Sequence, residues 1–125
     1  MSKIPEKVKA AWDDRDDPVI LATVDANGIP NIIYVTCVGT FGDERFVVAD
    51  NYFDKTRRNA IAGGTGAILF RDKSGKAFQI KGALEYHTAG DLFDDMKRWN
   101  PTKHPGHAAL ALCTTSIFSG AERIV

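Results

Sequence analysis

The chain has 125 residues, 44% of them hydrophobic and 26% charged, with 16 Lys plus Arg against 16 Asp plus Glu. That length and composition predict a single globular domain over residues 1–125, and the zero formal net charge argues against a nucleic-acid binder working by bulk electrostatics. No apolar run approaches the roughly 20 residues that span a bilayer, and "MSKIPEKVKAAWDD" has no secretory-signal pattern, so a cytoplasmic location is expected.

Ile4, Val8 and Trp12 recur at helical spacing, so residues 4–15 read as a short amphipathic helix. The acidic "DDRDDP" stops it, because Pro18 forbids continuation. "VILATV" (19–24) is an apolar, β-branched run suited to a strand buried on both faces. "DANG" follows as a tight turn, since Asn and Gly tolerate positive φ. "NIIYVTCV" (31–38) then reads as the second arm of a hairpin, and "RFVVA" (45–49) as a third strand after the turn "GTFGDE".

Asp54 is a candidate N-cap for a helix over Lys55 to Ala62 that Gly63-Gly64 ends. "GAILF" (66–70) is a strand and "DKSGK" (72–76) a turn. "AFQIKGALEYH" (77–87) alternates, with Phe78, Ile80, Leu84 and Tyr86 on one face and Gln79, Lys81, Glu85 and His87 on the other. Gly82 marks a bulge or a close backbone approach. Thr88 and Asp91 resemble a capping box for a helix with Leu92, Phe93, Met96 and Trp99 on one stripe, ended by Pro101. "AALALCTTSIF" (108–118) supplies the last strand. Cys37 and Cys113 lie in strand-like surroundings and read as core thiols.

The expected fold is therefore mainly β: six antiparallel strands in hairpin-like order, with three helices at the periphery. A small barrel removes exposed edges from such a set.

Three stretches carry candidate chemistry. At Lys55-Thr56 a helix start, a point charge and a hydroxyl could receive a phosphate, with Arg57 or Arg58 adding a fork; the plain alternative is a solvated basic helix. Gln79 and Lys81 project to one side of a strand, toward solvent or a ligand groove. In "WNPTKHPGH" (99–107) the two histidines have no nearby acid or cysteine to complete a metal set, and the segment reads as an ordered loop placing Trp99 and His104 against a neighbour, Trp99 itself reading as core at the end of its apolar stripe. No Ser-His-Asp or Cys-His arrangement argues nucleophilic catalysis, so redox chemistry here would need a cofactor.

In order and spacing, "VILATVDANGIPNIIYVT", "RFVVADNYFDKTRRN" and "KAFQIKG" resemble the pyridoxamine 5′-phosphate oxidase-like, FMN-binding split-barrel family, and in particular its short members, the small FMN-binding proteins of anaerobic bacteria. The resemblance implies a six-stranded split barrel and a homodimer with FMN in clefts at the subunit interface. It implies that Ile33, Tyr34, Val35 and Thr36 lie along the isoalloxazine ring and that Lys55 and Thr56 clamp the phosphate. Asp50 and Asn51 match the strand end beside that clamp, Gln79 and Lys81 the polar flavin contacts, and the segment from Trp99 to His104 a cover supplied by the partner subunit. The longer true oxidases carry a C-terminal arginine-histidine pair for the vitamin B6 phosphate. Here the sequence reads "AERIV", so pyridoxal phosphate synthesis is not expected. The function implied is a flavoprotein oxidoreductase with NAD(P)H or a redox protein as electron donor, or else a non-catalytic FMN carrier. Some split-barrel relatives bind haem or deazaflavin instead, although nothing in the spacing of His87, His104 and His107 recommends haem.

Overall fold

The computed structural model describes all 125 residues. Helix α1 (Glu6–Asp13) leads into β1 (Arg15–Val24), β2 (Pro30–Val35), β3 (Val38–Phe41) and β4 (Arg45–Asp50). Then come α2 (Lys55–Ile61), β5 (Thr65–Asp72), β6 (Ala77–His87), α3 (Asp91–Trp99), β7 (Ala108–Ser119) and the short β8 (Glu122–Arg123). All strand pairs are antiparallel, in one sheet of order β2-β1-β5-β6-β7-β4-β3, with β8 added to β7. The sheet curls into a split barrel of eight strands, two more than the sequence suggested.

Each extra strand has an identifiable cause. "NIIYVTCV" is uniformly strand-forming, yet the chain breaks pairing at Thr36-Cys37. There it crosses from one free edge of the sheet, β2, to the other, β3. The split therefore lies between two strands that are neighbours in sequence. Cys37 is held at the crossing by the Ala49 N–H, which donates to its carbonyl at 2.9 Å. β8 forms where the tail folds back on β7, pairing Phe118 with Arg123.

The remaining elements follow their local chemistry. In the first hairpin the Asp25 carboxylate accepts the N–H groups of Asn27 and Ile29, each at 2.9 Å, and Gly28 takes φ 78°. α1 ends at Asp13, short of the expected residue 15, and Pro18 falls inside β1. α3 starts after Gly90, whose φ is 94°, and not from a Thr88 cap. Gly82 does sit at a bulge: the register shifts between Lys81 and Gly82, leaving Thr115 of β7 unpaired.

α1 closes one end of the barrel with Ile4, Val8, Ala11 and Trp12. The Trp12 ring meets Phe46 and Phe70 edge-on at 4.8 and 5.0 Å, and each such fully buried side chain contributes about 1.5–3 kcal/mol. A second, smaller cluster packs Leu92 and Met96 of α3 on Val47, Ala49, Ala109 and Ala111.

The outer face of the other half-sheet has no such cover. Tyr34, Ile20 and Leu69 stand in one cross-strand row over β2, β1 and β5, and opposed residues share a face. Tyr34 is 74% exposed, Leu69 42%, and Ile32 in the next row 69%.

Candidate functional site

The split in the barrel opens into a groove. Its first chamber, a cavity of about 320 Å³, is lined by five consecutive residues, Ile33 to Cys37, that run from the end of β2 through the crossing. Val48 and Ala49 of β4, then Asn51, Tyr52, Phe53 and His104, complete it. A second chamber of about 170 Å³ shares Ile33, Tyr52 and Phe53 with the first and adds Asn31, Asp54, Lys55 and Thr56. A third, of about 340 Å³, shares Asn31 and Lys55 and runs on to Arg58, Asn59 and Asp25. The groove is thus continuous, mostly apolar at the His104 end and polar at the Lys55 end.

Charge at the polar end is partitioned by pairing. Arg57 is committed to Asp50, and Arg58 to Asp54 at 3.2 Å. Asp25 is consumed by its own turn. Lys55 is exposed and has no carboxylate or hydrogen-bond partner, so it is the cation left for a ligand. Asp54 precedes α2 without capping it through its side chain. The N–H groups of Lys55, Thr56 and Arg57 are therefore without a protein acceptor, as at any uncapped helix start.

Thr56 is only 2% exposed, and its hydroxyl accepts a hydrogen bond from Asn31 Nδ2 at 2.9 Å. That bond ties α2 to the start of β2 and leaves the hydroxyl proton free to be donated. Asn59 ties the helix a second time, donating to the Thr23 hydroxyl at 2.9 Å.

Asp50 is not a ligand-facing residue. It is fully buried, and its oxygens accept hydrogen bonds from Arg57, from the Tyr86 hydroxyl and from the Phe53 N–H. Burial by itself would raise its pKa; those three donors outweigh burial and hold the carboxyl below its ordinary range. The same pairing holds the Arg57 guanidinium charged, and burial together with Asp50 pushes the Tyr86 hydroxyl up to about 12. This cluster braces the joint between β4, α2 and β6.

The other sequence-derived candidates divide. Ile33, Tyr34, Val35, Thr36 and Asn51 line the first chamber, and Lys55 and Thr56 the second. Gln79 and Lys81 do not reach the groove within one chain: Gln79 stands opposite Leu69, three strands from Tyr34 in the exposed row, and Lys81 follows on the same face. Trp99 is absent from the groove too. Its indole packs on Gly39, where an added Cβ would lie 3.1 Å from the ring, within the second apolar cluster. His104, expected to cover a partner's ring, lines the groove of its own chain.

Sequence reasoning passed over Asn31, Cys37, Tyr52 and Phe53 as site residues. Cys37, read as a core thiol, is half-buried and lines the first chamber, whereas Cys113 is buried as expected. One signal pointed to Asn31 and Tyr52: each is a polar side chain flanking a segment already assigned to the site.

The chain matches the family model for pyridoxamine 5′-phosphate oxidase over residues 4–117. Among solved structures it is similar to HupZ of Group A Streptococcus, at 25% identity and a TM-score of 0.80, covering 93% of each chain. An FMN-binding protein of Syntrophomonas wolfei shares the fold at 24% identity and a TM-score of 0.69, with 96% of this chain and 85% of that one covered. An uncharacterised protein of Methanocaldococcus jannaschii is 28% identical over 75 residues, which make up 58% of this chain and 50% of that protein. The chain thus spans about half the length of the curated relative it matches.

Proposed function

Since the chain belongs to the pyridoxamine 5′-phosphate oxidase family, we propose that it is an FMN-binding flavoprotein and an oxidoreductase whose reactive centre is the flavin. The observation that carries this reading is the groove, with an apolar chamber at one end and the unpaired cation of Lys55 at the other. FMN has the same polarity, a planar ring joined by a polar chain to a phosphate. Small-ligand sites are commonly apolar clefts with a few placed polar groups. In this reading Ile33, Tyr34, Val35 and Thr36 flank the ring, and Lys55 with the Thr56 hydroxyl receives the phosphate. Asn51 acts by shaping the wall, and Asp50 by bracing α2. The Syntrophomonas wolfei protein of the same fold is FMN-binding, which supports the choice of flavin.

The reading includes a homodimer. The first chamber shares Ile33 and Tyr34 with the hollow beside Ile20 and Ile32, so the groove opens onto the exposed apolar row. An isologous pairing of that face in two copies removes it from water. It also gives Gln79 and Lys81, which share the face, a place beside the neighbouring copy's flavin.

The direct test is the visible spectrum of the freshly purified protein, with chromatography of whatever heat releases. FMN near one per chain is the expected result; a colourless protein that also refuses added FMN overturns the reading. Steady-state turnover with NAD(P)H then separates an enzyme, which shows saturable oxidation, from the alternative of an FMN carrier that is reduced slowly or by a redox protein.

A further inference from the structure

Three consecutive residues after the body of β4 hold the loop between α3 and β7. The backbone oxygen of Asp50 accepts the His107 N–H at 2.9 Å. Asn51 exchanges amide hydrogen bonds with Asn100, at 3.2 and 2.9 Å, and accepts the Gly106 N–H at 3.0 Å. The Tyr52 hydroxyl meets His104 Nδ1 at 3.2 Å, with the two rings edge to face at 5.6 Å. From the helix side, the Lys97 ammonium donates to the carbonyls of Pro105 and Gly106 at 2.9 and 3.2 Å. Asn51 and Asn100 are both buried, and a buried amide pair that satisfies itself makes a specific, rigid joint. The loop is a fixed wall of the groove and not a lid.

What this wall offers the groove is one imidazole. His104 lines the first chamber, and neither of the other two histidines does. Its Nδ1 is taken by Tyr52, while Nε2 has no protein partner. When the tyrosine hydroxyl donates to Nδ1, the ring proton resides on Nε2, which then offers an N–H donor. The chamber around it is otherwise largely apolar: eight of its eleven lining residues are hydrophobic. Among mostly apolar lining residues a single placed donor fixes the orientation of a planar ligand.

We propose that His104, locked by Tyr52, is the hydrogen-bonding contact at the ring end of the groove. It donates from Nε2 to a carbonyl oxygen or unprotonated ring nitrogen of a planar heteroaromatic occupant. The proposal rests on the flavin reading and deepens it. Lys55 and His104 grip opposite ends of one ligand, and the two ends can be tested apart.

Riboflavin and FMN share the ring and differ in the phosphate, so comparing them separates the two grips. Affinities of both flavins are measured for the full chain and for Lys55→Ala, His104→Ala, His104→Gln and Tyr52→Phe, with absorption spectra of each complex. Lys55→Ala is expected to weaken FMN alone. His104→Ala is expected to weaken both flavins about tenfold, the worth of one hydrogen bond, and to shift the flavin absorption bands. His104→Gln, which retains an amide donor, recovers part of that loss. Tyr52→Phe keeps the imidazole but frees Nδ1 and falls between. A wild-type protein that binds flavin, with a folded His104→Ala variant whose affinities and spectrum are unchanged, overturns the ring-end contact alone. A wild-type protein that binds neither flavin overturns the flavin reading and the contact with it.

Discussion

Asp50 and Arg57 are joined by two hydrogen bonds, Nε to Oδ2 at 2.7 Å and Nη2 to Oδ1 at 3.0 Å. Asp50 closes β4 with no exposed surface, and Arg57 lies in the first turn of α2. The pair thereby fixes the angle at which the helix carrying Lys55 leaves the sheet. Asp50→Ala leaves the Tyr86 hydroxyl and the Phe53 N–H without their acceptor, while the part-exposed Arg57 guanidinium turns to water. The expected loss is about 1–3 kcal/mol of folding stability, the cost of unsatisfied buried donors. Urea denaturation measures it, and a loss below about 1 kcal/mol would show that the pair does not brace the helix.

The same carboxylate sets part of the acid limit of the fold. Burial opposes ionisation of Asp50, but Arg57, Tyr86 and the Phe53 N–H outweigh it and keep the pKa below the ordinary value. For Glu85 burial is likewise overcome, by hydrogen bonds from Arg45 and His87, and the pKa falls from 4.5 to about 2. A lowered pKa means that the folded state binds fewer protons than the unfolded one. The stability from these groups is therefore complete above pH 4.5 and is lost as the pH falls toward 2. At the alkaline end burial, followed by Glu85, pushes Cys113 from 9.0 up to about 11, so its contribution holds below pH 9 and fades as the pH rises through 11. Denaturation midpoints across this range are expected to fall at both ends, with Asp50→Asn flattening the acid limb. A midpoint unchanged from about pH 7 to about pH 3 contradicts the assignment.

How much of this was legible in the sequence depends on how local the cause is. The turn at "DANG", the bulge at Gly82 and the helix opening at Lys55 each follow from the conformational needs of one or two residues, and each stands where expected. The crossing at Thr36-Cys37 was not legible. Nothing in "NIIYVTCV" disfavours a strand, and the break exists only because the two sheet edges must be joined. The site divided in the same way. Lys55 announced itself as a cation at a helix start. Asp50 read as a ligand because its saturation depends on Arg57 and on Tyr86, 36 residues away. Trp99, the last member of an apolar helical stripe, packs on Gly39 as that stripe suggests; only the family resemblance made it a cover.

Lys55 is the groove's one cation free of a carboxylate, and the prediction for it is direct. Lys55→Ala is expected to weaken FMN by a charge-assisted contact worth about 1.5–3 kcal/mol, while fold stability changes little because the side chain is exposed. Isothermal titration with FMN reads the first quantity and thermal melting the second. Unchanged FMN affinity returns Lys55 to ordinary surface.

The exposed row of Tyr34, Ile20 and Leu69 predicts an assembly that one charge can break. Leu69→Glu puts a carboxylate in that apolar row, at its Gln79 end, where pairing of two copies would bury both charges. Sedimentation is expected to give a dimer for the natural chain and a monomer for the variant. A natural chain that sediments as a monomer while holding FMN removes the interface from the account of the site.

Two glycines test how tightly the sheet is packed, because the same substitution meets opposite surroundings. A Cβ at Gly82 would lie 1.9 Å from the Cys113 carbonyl oxygen and 2.7 Å from its carbon, both backbone atoms of the paired strand β7. Neither can move without opening the β6–β7 ladder at its bulge, the pairing that links the two halves of the barrel. At Gly64 the nearest atoms would be backbone oxygens at 3.6 and 3.7 Å, ordinary contacts, and φ lies outside the left-handed region. Gly82→Ala is therefore expected to cost at least about 3 kcal/mol, at the upper end of what overpacking does. Gly64→Ala is expected to stay within about 1 kcal/mol of the natural chain, since less freedom in the unfolded state offsets a minor crowding. If both variants unfold at the same urea concentration, the close approach of β6 to β7 is not what requires glycine at position 82.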